Sequence, residues 1–118
     1  MQHELFSSHI NQQYGVQPEY LWAKFPEFAV FRHSNNRKWF AILMNVAANK
    51  IGLAQHYPIW IANLKAQPET IGSLRMMQGI YPAYHMNKEH WISVHLQEID
   101  KMLLWQLVED SFRLTAKK

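Results

Sequence analysis

A chain of 118 residues, 48% hydrophobic and 18% charged, has the size and balance of one globular domain over 1–118 and not of a disordered segment. It has no cysteine, which excludes disulfides, thiolate metal sites and cysteine nucleophiles. The net charge of +3 is unevenly spread, since residues 28–88 carry seven Lys and Arg against one acid, Glu69, while both flanks are mildly acidic; a surface facing a polyanion needs such a bias.

In chain order, Leu5, Phe6, His9, Ile10 and Tyr14 recur at helical spacing and predict a helix over 3–14, with Gly15 as its stop. Pro18 and Pro26 punctuate a stretch containing Leu21, Trp22 and Phe25. Phe28 to His33 and Lys38 to Val46 read as a hairpin turning at Ser34-Asn35-Asn36, whose short polar side chains tolerate left-handed backbone. Alternation in the returning strand puts Phe40, Ile42, Met44 and Val46 on one face, and Trp39, Ala41, Leu43 and Asn45 on the other. Both faces are substantially apolar, which predicts a central strand.

Ile51-Gly52-Leu53 is a candidate short strand, and Ile59 to Lys65 a longer one. Pro68 opens a second helix striped by Ile71, Leu74 and Met77 and closed by Gly79. Residues 80–90 read as an irregular loop. In Trp91 to Gln97, Ile92, Val94 and Leu96 alternate with Trp91, Ser93 and His95. A last helix over 98–114 carries Ile99, Leu103, Leu104, Leu107, Val108 and Phe112, with Lys117 and Lys118 suiting its negative end. The order predicts an α+β two-layer sandwich, an antiparallel sheet with helices on one face. Apolar runs are too short for a membrane-spanning helix, and no basic-then-apolar signal segment opens the chain, so a cytoplasmic monomer with no membrane partner is expected.

Residues 84–94 read Tyr84-His85-Met86-Asn87-Lys88-Glu89-His90-Trp91-Ile92-Ser93-Val94, a His-x-Asn-Lys-x-His-Trp pattern before a strand. With Arg-Lys-Trp-Phe-Ala at 37–41, Asn-Leu-Lys-Ala-Gln-Pro-Glu at 63–69 and Leu-Val-Glu-Asp-Ser-Phe at 107–112, the chain resembles the MmcQ/YjbR family over nearly its whole length, least well at 47–58. The resemblance implies a CyaY-like sandwich described as a double wing, often labelled DNA-binding by structural analogy, and no agreed biochemical activity.

Two segments read as the wings. At the hairpin tip, Arg32, Arg37 and Lys38 supply charge while Asn35 and Asn36 supply hydrogen bonds; a basic β-ribbon can lie in a groove or ride along phosphates. In the second loop, Lys88 and Asn87 would contact phosphate or base edges, and His85 and His90 would donate hydrogen bonds. The same residues also suit a charged, soluble turn and a loop whose Asn and His side chains cap backbone groups. The expected partner is DNA or another nucleic acid. The alternative is a small-molecule or protein-partner module using Trp39, Trp91 and His95 on the sheet face away from the helices.

No cofactor or metal is expected. On a strand His90 and His95 point to opposite faces and do not share one ion, and the first helix has one acid, Glu4, unlike the acidic iron-binding surface of frataxin, which shares the CyaY-like fold. No catalytic constellation is present: the glycines are isolated, no Gly-x-Ser-x-Gly occurs, and Ser93 and His95 lack an orienting third group.

Overall fold

The computed structural model describes residues 1–116; Lys117 and Lys118, expected to suit the end of the last helix, lie outside the described residues. The elements are α1 (His3–Tyr14), β1 (Ala29–Arg32), β2 (Trp39–Ala47), a 3-10 turn (Ala48–Ile51), β3 (Pro58–Lys65), α2 (Pro68–Leu74), β4 (Ile80–Pro82), β5 (Trp91–His95) and α3 (Lys101–Thr115). The strands form one antiparallel sheet in the order β1-β2-β3-β5-β4.

The helices share one face of it. Phe6 and Ile10 of α1, Ile71 of α2, and Leu104, Leu107 and Val108 of α3 bury against Phe31, Leu43, Leu64, Ile92 and Val94. The periodic stripes predict this, because each amphipathic helix has one face to hide. The other face has its own apolar layer, Val30, Ile42, Met44, Ile59 and Ile61, covered only by loop residues such as Trp22, Phe28, Tyr84 and Met86.

The α+β architecture is as predicted; five local expectations are corrected. The second helix ends at Leu74 with Arg75 as its C-cap, and 75–79 are turns and not helix up to Gly79. Phe40 faces the helices, not the loop-covered side. Phe31 opposes Ala41 but Arg32 opposes Trp39, so Phe40 is the extra residue of a β-bulge. The bulge resets the alternation, sending Phe40 inward with Ala41 and Leu43 and turning Trp39 out with Ile42 and Met44. Continuing the register from Ala41–Leu64, Phe40 would oppose Lys65. There the Ser111 hydroxyl of α3 intervenes, donating to the Phe40 carbonyl at 2.6 Å and accepting from the Lys65 N–H at 2.9 Å.

Residues 51–53 form no strand; they complete the 3-10 turn and leave it through Gly52. Residues 80–90 are not all loop, because Ile80–Pro82 pairs with β5 as an edge strand. Pro82 ends it at the sheet margin, where a missing N–H costs no ladder bond. Finally, α3 begins at Lys101 and not at 98, because the N–H groups of Glu98 and Ile99 turn back to the His95 carbonyl. Asp100 caps the helix, its carboxylate accepting from the Leu103 N–H at 3.0 Å.

The far end of α3 is pinned to the β1–β2 tip. Thr115 Oγ1 donates to the Ser111 carbonyl at 2.8 Å and lies 2.8 Å from His33 Nε2, so the imidazole donates there. Burial holds the pKa of His33 below its ordinary value, and does the same at His95 and at His9. The unfolded chain would take up these protons from about pH 6.5 downward, and the folded chain only at lower pH. The unfolded state then binds more protons in that window, so stability falls as pH falls through it. The urea midpoint is therefore expected to be lower at pH 5 than at pH 7, before the depressed carboxylates of Glu19 and Glu109 begin to titrate. A midpoint unchanged over this interval would contradict the depression of these imidazoles by burial.

Candidate functional site

Of the hairpin-tip cations, Arg32 is neutralised. Its Nε and Nη2 donate to the two carboxylate oxygens of Glu19 at 2.9 and 2.6 Å, a bidentate pair. Glu19 is placed by a backbone bridge to Val30, and the hydrogen bond from Arg32 holds its pKa below the usual carboxylate value. Arg37 lies 3.6 Å from the same carboxylate but stays largely exposed. Lys38 is exposed.

The asparagines build the turn. Asn35 Oδ1 accepts from the Asn36 N–H, Asn36 Oδ1 accepts from the Lys38 N–H, and Asn36 Nδ2 donates to the Thr115 carbonyl. These bonds hold Arg37 at φ +64°, a left-handed conformation.

The 84–90 loop has a buried polar root. The Tyr84 N–H donates to Ser93 Oγ at 2.8 Å, Ser93 Oγ donates to Asn63 Oδ1 at 2.5 Å, and Asn63 Nδ2 donates to the Tyr84 carbonyl at 2.8 Å. Asn63 and Ser93 have no exposed surface, so this closed ring of bonds ties the loop to the sheet. Ser93 is thus committed to Asn63 and Tyr84. Asn87 caps the next turn, its Oδ1 accepting from the Glu89 N–H at 2.7 Å. Arg75 Nη2 reaches the Lys88 carbonyl at 2.7 Å. The side chains of His85, Lys88 and His90 are exposed.

Both segments lie at one end of the sheet. Arg32 opposes Trp39 across β1–β2, Ala41 opposes Leu64 across β2–β3, and Lys65 opposes Trp91 across β3–β5. The β1–β2 tip, the end of β3 and the β4–β5 connection therefore share an edge. The register places Arg37 and Lys38 of the tip, Lys65 at the end of β3 and the segment carrying Lys88 at this end of the sheet, and Arg32 does not contribute a free charge. Sequence reasoning missed Lys65, which reads locally as the last residue of a strand.

The expected aromatic trio is not assembled. His95 is buried at the other end of β5, where it opposes Ile61, and Trp91 packs into the second apolar layer. Trp39 instead lines a cleft of about 300 Å³ on the loop-covered face. Trp22, Phe25 and Phe28 form one wall beside it, and Tyr84, His85 and Met86 the other. The first wall is built of stacked and edge-on rings: Phe25 on Phe28 at 4.8 Å, Trp22 against Trp39 at 5.9 Å. The cue in the sequence was the aromatic density of 20–28 between its prolines. Among the described residues no three His, Asp or Glu are grouped to hold a metal ion, and no helix is long and apolar enough to cross a membrane.

Comparison with known proteins fits this architecture. The YjbR family model matches residues 11–114. A Bacillus subtilis (strain 168) protein, the uncharacterized protein YyaQ, is 45% identical over 108 residues, covering 91% of this chain and 92% of its own. The crystal structure of a Pseudomonas syringae protein superposes with a TM-score of 0.96 at 48% identity, over 98% of this chain and 99% of that one. A crystal structure of Deinococcus radiodurans DR2400 gives 0.74 at 25% identity, over 98% of this chain and 79% of that one. With its motifs, its sheet order and its helix-covered face all accounted for, the chain belongs to the YjbR family.

Proposed function

We propose that this protein binds nucleic acid weakly, as a cytoplasmic monomer without a catalytic step, by laying phosphates along the cationic end of its sheet. The YjbR family is one of uncharacterised function, so the reading rests on this chain's own residues. The observation that carries it is the strand register, which sets the segments bearing Arg37, Lys38, Lys65 and Lys88 at one end of the sheet. Only the Arg37 guanidinium among these four has a carboxylate within ion-pair distance in the described residues. Asn35, Asn36 and Asn87, spent on turn geometry, shape the two tips and are not assigned base contacts.

Neutralising four phosphates gives a log–log salt slope of about −3.6 for duplex DNA, and Arg37→Ala/Lys38→Ala should halve it to about −1.8. Anisotropy titrations with a labelled duplex at several salt concentrations measure both. No binding at low salt, or the same slope in the double variant, would end this reading. The aromatic cleft favours a second reading, a module for a small flat ligand.

A further inference from the structure

Beside the aromatic cleft lies a second hollow, bordered by Lys50 and Lys88. The two cavities share Tyr84 and His85, whose rings meet edge to face at 4.1 Å and form the partition between them. On one side are aromatic rings: Trp22, Trp39, Phe25 and Tyr84. On the other are two ammonium groups with no ion pair among the described residues.

We propose that the paired cavities bind a nucleoside monophosphate unit, its base in the aromatic cleft and its phosphate in the lysine hollow. The inference deepens the nucleic-acid reading and rests on it for the choice of a nucleotide. Three features select this chemistry. A cleft of about 300 Å³ is at the small end of ligand pockets, suiting a base and not an extended apolar chain. Ring walls favour a flat occupant of any base identity, because every base offers a π-face to stack. The partition requires a spacer between ring and anion, which ribose supplies and a simple aryl carboxylate lacks. Lysine ammoniums are compact point charges suited to a phosphate that presents several oxygens.

The wall of the cleft supplied by the 84–90 loop is well rooted. Tyr84 is held by the Asn63–Ser93 bonds and His85 takes φ +57°, so the partition stands without a ligand. Little ordering is then needed on binding.

The unit could arrive free or as an unpaired nucleotide of a single strand. The experiment is a tryptophan-fluorescence titration of the full chain with adenosine 5′-monophosphate, adenosine, benzoate and a short oligodeoxyadenylate. Saturable quenching by the monophosphate or the oligonucleotide is expected, with the tighter of the two identifying the source. Adenosine should bind at least about fivefold more weakly than its monophosphate, for want of charge-assisted contacts. Lys50→Ala should weaken the monophosphate severalfold toward adenosine's affinity and leave adenosine unchanged, and Phe25→Ala should weaken both by about fivefold or more. Phe25 is 52% exposed and Lys50 lies on the surface, so neither change threatens the fold.

Absence of quenching by both nucleotide probes, or wild-type affinity in both variants, would overturn the inference. So would benzoate binding as tightly as the monophosphate. Lys88 belongs to both proposals, whereas Lys50, in the β2–β3 connection, belongs to the hollow alone, so Lys50→Ala tests the paired site without touching the sheet-end cations. Duplex binding without nucleotide quenching removes the paired site alone. Nucleotide quenching without duplex binding removes the sheet-end reading alone.

Discussion

Gly79→Ala is expected to lower the unfolding free energy by about 3 kcal/mol, and Gly52→Ala by only about 1 kcal/mol. Both glycines hold left-handed backbone, at φ +88° and +97°. The strain of an L-residue in that region is common to the two positions. The difference is what a methyl group would meet. At Gly52 nothing lies within 4 Å, whereas at Gly79 a Cβ would sit 2.9 Å from the backbone N and Cα of Ile99.

Backbone cannot swing aside as a side-chain end can. Ile99 is itself held by its N–H bond to the His95 carbonyl, and the Gly79 carbonyl accepts from the His95 N–H at 2.8 Å. Relief would have to open the junction where β4, β5 and the approach to α3 meet. Urea unfolding of the two variants beside wild type measures the contrast. Equal losses would mean that the close approach carries no energy.

The second large effect is expected at the root of the 84–90 loop. Ser93→Ala should cost about 2–4 kcal/mol, because one hydroxyl serves two buried partners and its loss strands both. The Tyr84 N–H loses its acceptor and Asn63 Oδ1 loses its donor. Asn63 is fully buried, so water cannot replace the missing bond without a local opening. The exposed Ser73→Ala is the control, with an expected change within about 0.5 kcal/mol. Because Tyr84 walls both cavities, Ser93→Ala should also blunt nucleotide quenching under conditions where the chain is still folded. A loss of stability below about 1 kcal/mol would show that the three-residue ring is not a structural anchor.

The candidate binding face owes its form to several such long-range ties. Glu19 cancels Arg32, a cation that the sequence places among the binding residues. Thr115 and Asn36 fasten the hairpin tip to α3, and Arg75 steadies the second tip through the Lys88 carbonyl. The tips are therefore braced turns with a few outward charges. Their asparagines answer backbone demands first, as short polar side chains do in tight turns.

The aromatic face follows the same logic. Trp39 was legible as a candidate, yet for a strand without a bulge, and its companions there were misjudged. His95 looked like a ligand-facing residue because strand alternation puts it on the face of Trp91. Its depth was invisible, since alternation reports the side of a sheet and not what lies above it. The residues that complete the cleft come from a proline-bounded segment and a loop, where no period exists to read.

From its residues alone, this chain determined the kind and order of its main elements, the hairpin, the single helix-covered face and the family. Those are consequences of spacing and turn chemistry between near neighbours, which any stretch of chain carries with it. Long-range packing alone turns Phe40 inward, spends Arg32 on Glu19, sets Lys65 at the cationic end and brings Trp22 and Tyr84 to one cleft. Each depends on a partner remote in the chain, brought close by sheet pairing and helix packing, and local pattern contains no information about such meetings.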